Sequence, residues 1–304
     1  MRRFIIVLAL ILSFRGLAND ITSWIEEKDH PMSYESSYFT QNTIDDYRYS
    51  LESLMLSGTA SFKGFELSRL GDYLIWHDSK DIHPTVIVNL KGQRSYIVEA
   101  PHAGFETSTA KQAVILLEKL NARVAIISGS HRCASNEFSP CSGTTGVCGV
   151  KGEAYRISDS SHSEKNLFQV AHEFFVDFYK GAKVIQLHEM MKTSSPHKII
   201  LSSTAFSYSK NPNDFVTAVR NNLRVAHRNK QIAVSCNAVD DSELKFRKLC
   251  GFTNTQGRYL NKSVNVCSEL TELDSNRFIH IEQDYSTTLK DEFMKAMIYA
   301  FEVL

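Results

Sequence analysis

The sequence predicts an α/β fold: a three-layer sandwich with a mixed, largely parallel central sheet and helices on both faces. Two observations predict it. From residue 95 onward, short β-rich runs alternate with amphipathic helical stretches, the pattern of strands joined by helical crossovers. No internal repeat and no low-complexity linker breaks that alternation. The chain has 304 residues, 43% of them hydrophobic, enough for one large domain or two small ones.

The elements follow in order. Residues 1–18 read as a signal peptide: Arg2 and Arg3 make a basic start, Phe4–Phe14 is an apolar run, and Gly16-Leu17-Ala18 offers small residues for cleavage. The run is too short for a stable transmembrane helix, and a short membrane anchor is the alternative. Cleavage would remove Arg2, Arg3 and Arg15 and no acid, leaving a slightly acidic mature chain. No second long apolar segment follows, so the mature chain is expected to be exported, periplasmic or secreted, without stable membrane insertion. With 34 bases against 34 acids and no Lys/Arg tract, the sequence speaks against nucleic acid as a partner.

Residues 19–90 read as an N-terminal elaboration packed on a main domain of residues 91–304, with a helix over Thr43–Leu56. Pro84–Leu90 and Ser95–Ala100 are β-rich runs separated by Lys-Gly-Gln-Arg, a hairpin pattern. Thr109–Leu120 repeats apolar residues at Ala110, Ala113, Val114, Leu117 and Leu120, with Thr107 or Ser108 to cap it. Arg123–Ser128 is the next strand. Glu164–Tyr179 is an amphipathic helix capped by Ser163 and stopped by Gly181, with a stripe of Leu167, Val170, Ala171, Phe174 and Phe178. Strands over Lys183–Leu187 and Lys198–Ser202, a helix over Asp214–Leu223, a strand over Phe278–Gln283 and a helix over Leu289–Phe301 complete the series.

The stretch 129–162 is rich in Gly and Ser and holds three of the six cysteines. A loop this long in a compact domain points to function, and the cysteines argue that it is ordered. An even cysteine count in an exported chain points to disulfides. Cys141 with Cys148, across Ser-Gly-Thr-Thr-Gly, and Cys236 with Cys250 are the plausible near pairs, although spacing leaves the connectivity open. No Cys-x-x-Cys pair supports a zinc ribbon.

Ligands in open α/β sheets bind beyond the carboxyl ends of the strands. Strand 95–100 runs into Pro101-His102-Ala103-Gly104-Phe105-Glu106, and strand 183–187 runs into His188. Two histidines and a carboxylate are a common catalytic zinc set, with a fourth position left for water. Gly104 offers the bend that returns Glu106 to His102. Each histidine alone reads more readily as a locally bonded loop residue; their shared position at strand ends favours one Zn2+ per chain.

In Phe278–Asp284, alternate residues face opposite sides, so His280, Glu282 and Asp284 share one face. Glu282 is the candidate catalytic base, against the alternative of a solvated edge strand. Arg132 follows strand 123–128 and is a candidate for polarising a carbonyl or clamping a carboxylate. Arg258 is a second candidate for a substrate carboxylate. Asn254, four residues before Arg258, and Asn136, four after Arg132, are candidate substrate-binding amides. His162, in Asp159-Ser160-Ser161-His162, supports the site or merely neighbours a helix cap.

The order of His102 with Glu106, then Arg132, His188 and Glu282, resembles the zinc carboxypeptidase and N-formylglutamate amidohydrolase superfamily. Pro-His-Ala-Gly at 101–104 is similar to the Pro-His-Ser-Gly opening of formylglutamate amidohydrolases. Val-Ile-Gln-Leu-His at 184–188 and Ile-His-Ile-Glu-Gln-Asp at 279–284 are similar to the strands bearing the second zinc histidine and the catalytic glutamate. Poly-γ-glutamate hydrolases are an equal comparison. The resemblance covers residues 95–304 and implies a zinc-dependent hydrolase cleaving an amide or peptide bond in a small-molecule or peptide substrate. It implies Glu282 as base, Arg132 steadying an oxyanion and Arg258 holding a carboxylate. The first pair here is His-x-x-x-Glu where carboxypeptidases have His-x-x-Glu, which leaves direct ligation by Glu106 open. No clear Asn-Arg pair appears, so C-terminal exopeptidase specificity is not implied. The competing reading is a catalytically silent binding protein on the same fold. A serine hydrolase is disfavoured, because no Gly-x-Ser-x-Gly elbow precedes a helix.

Overall fold

The computed structural model describes residues 21–28, 30–32, 40–192, 194, 196–209, 211–239 and 249–304. The expected signal peptide lies outside the described residues. After a short helix at 21–26 come α1 (Gln41–Ser57), β1 (Phe65–Leu70), β2 (Tyr73–Asp78), β3 (Thr85–Asn89) and β4 (Arg94–Ala100). Then follow α2 (Thr109–Lys119), β5 (Ala122–Ile127), the small pair β6 (Thr144–Thr145) and β7 (Glu153–Ala154), and α3 (Leu167–Phe178). The chain continues through β8 (Lys183–Met190), β9 (Ile199–Ser202), α4 (Phe215–Ala226), β10 (Ala233–Ser235), α5 (Thr255–Leu260), β11 (Phe278–Asp284) and α6 (Asp291–Glu302).

Nine strands form one mixed sheet in the order β1-β2-β3-β5-β4-β8-β11-β9-β10. The central run β5-β4-β8-β11 is parallel throughout. β1, β2 and β3 add an antiparallel meander on one side, and β9 pairs antiparallel with β11 on the other. Because strand side chains alternate, each central strand feeds two cores. Val98, Ile185, Leu187, Ile279 and Ile281 pack under α2, α4 and α6. Ile97, Val124, Val184 and Phe278 pack under α3, with Tyr47 of α1 and Trp76 of β2 stacked 4.9 Å apart at its rim. The result is the expected three-layer α/β sandwich.

Four expectations are corrected. The Pro84–Leu90 and Ser95–Ala100 runs do not form a hairpin. β3 pairs with β2 and β5, and β5 lies between β3 and β4. The turn reads as a hairpin locally, but Asn121, where α2 returns to β5, takes its partners: the Gln93 and Arg94 amides donate to the Asn121 carbonyl. The helix expected from Glu164 begins at Leu167, capped by Asn166 rather than Ser163; the Asn166 side chain accepts from the Gln169 amide at 2.8 Å. Phe178 is not part of the buried stripe but is exposed. Cys141 pairs with Cys267 and Cys133 with Cys148, in place of Cys141 with Cys148, whereas Cys236 does pair with Cys250. The short loop between Cys141 and Cys148 carries β6 instead, whose pairing with β7 directs Cys148 back to Cys133.

No helix among the described residues is long and apolar enough to cross a membrane. The three disulfides are a feature that oxidising compartments permit.

Candidate metal centre

The four parallel strands β5, β4, β8 and β11 end on the same edge of the sheet. On the face toward α3 and α5, residues change character as each strand approaches that edge. Ile97 gives way to Glu99, Val184 to Gln186 and then His188, and Phe278 to His280 and then Glu282. Register aligns them: Glu99 is opposite Gln186, Gln186 opposite His280, and His188 opposite Glu282. β8 runs to Met190, so His188 is part of the strand and inherits its rigidity.

Beyond β4, the Phe105 and Glu106 amides both donate to the His102 carbonyl at 2.8 Å, closing a tight turn. Gly104 is required there, since a Cβ would lie 2.7 Å from His30 Cβ and 3.1 Å from His131 Cα. The turn returns Glu106 to His102, with Glu106 Oε1 2.8 Å from His102 Nδ1. Glu106 Oε2 lies 3.3 Å from His188 Nδ1. Ligand atoms of His102, Glu106 and His188 all lie within 4.8 Å of one another, and all three side chains are buried. The extra residue between His102 and Glu106 is absorbed by this turn.

The donor set fits a zinc ion. Both histidines aim Nδ1 at Glu106 and engage Nε2 elsewhere: His102 Nε2 is 2.8 Å from Asp159 Oδ1, and His188 Nε2 is 2.9 Å from Gln186 Oε1. Such partners on the far nitrogen orient metal-binding imidazoles. Burial disfavours the charged form of Glu106, but His102 and His188 outweigh it and hold the carboxyl well below the usual range. Burial and Arg132 oppose protonation of His102, yet Glu106 and Asp159 prevail and raise its pKa. Burial lowers that of His188. The two opposite shifts mark Glu106 as a carboxylate whose electrostatic partners are the imidazoles that flank it.

Glu282 is partly buried beside this set. Burial and then the Glu106 charge push its pKa up to about 8. Arg132 is buried: Nε and Nη2 grip Asp159 Oδ2, and Nη1 lies 3.4 Å from Glu106 Oε1. His162 Nδ1 is 2.8 Å from Asp159 Oδ1, with its ring stacked on Tyr155. His162 thus belongs to the site through Asp159, not to the cap of α3. Two further groups have ligand spacing, His102 with Asp159 and His162, and His188 with His280 and Glu282. In the first, both Asp159 oxygens are already engaged, Oδ2 by Arg132 and Oδ1 by both histidines. In the second, burial and then His188 hold His280 well below the ordinary histidine pKa, and its Nδ1 is buried without a hydrogen-bond partner.

Two cavities, of about 440 and 610 Å³, flank the centre and share Arg132, Gly146, Val147, Leu249 and Glu282. The first is lined by Thr144, Thr145, Tyr155 and Thr253, and the second by Phe105, Met190 and Ile200.

Three expected substrate-binding residues stand elsewhere. Arg258 is buried, and its guanidinium donates to the carbonyls of Phe252, Val266 and Cys267 and to Ser142 Oγ. With its donors so engaged it stabilises the segment closed by Cys141–Cys267 and is not available to a substrate carboxylate. Asn254 caps α5, accepting from the Gly257 amide at 2.9 Å and donating to Gln186. Asn136 is exposed and lines neither cavity; its carbonyl accepts from Arg156. The sequence reading gave no role to Asp159, Gln186 or His280. His280 was signalled by strand alternation with Glu282, and Gln186 by the same alternation with His188. Asp159 had no comparable signal, because its role depends on a loop returning across the sheet edge.

Among known proteins, no family model and no curated sequence matches the chain. Among solved structures, the chain is similar to a metallo-carboxypeptidase from Burkholderia cenocepacia, with 11% identity and a TM-score of 0.37, over 87% of this chain and 69% of that one. It is also similar to a candidate carboxypeptidase from Burkholderia mallei ATCC 23344, with 10% identity and a TM-score of 0.35, over 86% of this chain and 67% of that one. Neither likeness assigns the chain to a family.

Proposed function

We propose that this chain is an exported zinc-dependent hydrolase of amide or peptide bonds. One observation carries the reading: two imidazole nitrogens and a carboxylate converge at the carboxyl edge of four parallel strands, with Glu282 and Arg132 on adjoining walls of two cavities. His102 Nδ1, Glu106 and His188 Nδ1 would hold one zinc ion per chain. When bound, zinc would supply a Lewis acid for the scissile carbonyl and acidify a water beside it.

The chain's own residues supply the rest. Glu282 takes a proton at its carboxylate and returns it to the leaving nitrogen. A cation on Glu106 offsets the charge that raises the Glu282 pKa, favouring the ionised form that a base requires. Arg132, locked by Asp159, presents a fixed positive charge to the developing oxyanion. Asp159 orients His102 and Arg132 together. Residues 91–304 contain these groups and are assigned as the catalytic part, with 19–90 as an elaboration that widens the sheet. The signal-like start of the sequence and the three disulfides support removal of residues 1–18 and a location outside the cytoplasm.

Metal analysis of the purified protein tests the reading. The wild type is expected to carry about one zinc per chain, and His188→Ala to lose it. Glu282→Gln should keep the metal while turnover of a responsive substrate falls by roughly 10²–10⁴-fold. That substrate is to be sought among muropeptides, γ-glutamyl peptides and N-acyl amino acids. A wild-type protein free of zinc after refolding with the metal would end this assignment.

A further inference from the structure

We infer that Gln186 is a positioning residue for the metal centre, holding His188 in the tautomer that leaves Nδ1 free to bind. A neutral imidazole carries its proton on one nitrogen only, and the partner of each nitrogen decides which. His188 Nε2 faces Gln186 Oε1 at 2.9 Å, while its Nδ1 faces Glu106. If the Gln186 oxygen is fixed on the His188 side, Nε2 must donate, and Nδ1 keeps its lone pair.

The Gln186 amide is fixed from both of its ends by main-chain groups. On the oxygen side stands Asn254. Its Oδ1 accepts from the Gly257 backbone amide, so its Nδ2 must face Gln186 and donate. On the nitrogen side stands Gln256. Its Nε2 donates to the Ser160 carbonyl at 2.8 Å, so its Oε1 must face Gln186 and accept, at 3.1 Å from Gln186 Nε2. A backbone amide cannot accept and a backbone carbonyl cannot donate, so neither anchor permits the reverse arrangement. Glu99 adds a third constraint, with Oε2 2.9 Å from Gln186 Nε2 and Oε1 2.7 Å from His172 Nδ1. Glu99, His172, Gln186 and Gln256 are all fully buried, so no water competes for these bonds.

Carboxylate, amide and imidazole thus form a line from Glu99 through Gln186 to His188, ending at the metal position. The Glu99 carboxyl group, accepting from Gln186 Nε2, braces the amide whose oxygen faces His188. His102 has Asp159 directly on its far nitrogen, so the two ligands are supported by carboxylates at different removes. The assignment rests on His188 being a metal ligand, and its test separates the two claims.

The full chain, labelled with ¹⁵N in histidine and stripped of metal, would be examined by long-range ¹H–¹⁵N correlation at a mildly alkaline pH. The His188 signals are those lost in His188→Gln. The expected result is a proton on Nε2 and none on Nδ1; a proton on Nδ1 overturns the proposal, whatever the protein's activity. Zinc affinity, read by competition with a chromophoric chelator, gives the second readout. Gln186→Leu is expected to bind zinc about 10–100-fold more weakly while still unfolding cooperatively. Unchanged affinity in that variant overturns the proposal. If Gln186→Leu does not fold, the tautomer measurement on the native chain still decides. If the wild type binds no zinc, the hydrolase reading fails, while the tautomer result still stands for or against Gln186.

Discussion

Asp159 shows how much one buried side chain organises here. It accepts from Arg132, lies 2.8 Å from His102 Nε2 and lies 2.8 Å from His162 Nδ1. Even beside this carboxylate, His162 is lowered from 6.5 to about 4, because burial outweighs the attraction of Asp159. The sign of its effect on stability follows. The folded protein keeps His162 neutral where the unfolded chain protonates it, so stability is whole above pH 6.5 and falls as pH drops toward 4. A shift of that size corresponds to about 3 kcal/mol. Denaturant unfolding of metal-free protein at pH 7.5 and pH 4.5 should show this loss, and His162→Gln should lose less. At this scale much was legible. His102, Glu106, His188 and Glu282 stand at strand ends, where local pattern alone exposes them. Arg258 was not legible, because its partners at Val266, Cys267 and Ser142 come together only through a disulfide spanning 126 residues.

At the level of elements, the helices over 109–119 and 215–226 and the strands over 94–100, 183–190 and 278–284 were readable from periodicity to within a few residues. What failed was pairing and capping. β1 and β2 were overlooked because β1 alternates only partly, with Glu66, Ser68 and Arg69 exposed, and β2 is buried along most of its length. α3 matters most for the site, since it closes the layer below Glu99 and Gln186 through His172 and Gln169. Its cap at Asn166 and its core contact at Phe175 separate two contributions to stability. Asn166→Ala is expected to cost about 0.5–2 kcal/mol through the lost bond to the Gln169 amide. Phe175→Ala, at a fully buried position, is expected to cost about 3–5 kcal/mol. Equilibrium urea unfolding of the two variants checks both values, and equal losses would contradict the division.

Across the whole molecule, the disulfides gather near the carboxyl edge of the sheet. Cys133–Cys148 begins next to Arg132, and Cys141–Cys267 joins the long loop to the segment that engages Arg258. These links fasten the walls of the cavities to a sheet that is already rigid. Replacing Cys141 and Cys267 together by Ser is expected to cost about 2–5 kcal/mol, because the bridge closes a long loop. Calorimetry under oxidising conditions checks this. Zinc content should change little, since His188, although inside the closed loop, is held by β8, and neither His102 nor Glu106 bonds to the bridge or to Arg258.

β11 is inserted between β8 and β9, although it is the last strand in the chain. Until residues 278–284 have emerged during synthesis, β9 and β10 have no bridge to the rest of the sheet, and the edge of β8 that pairs with β11 has no neighbour. Glu282 arrives on that same strand. Completing the sheet therefore also sets the proposed base opposite His188, one of the three candidate ligands.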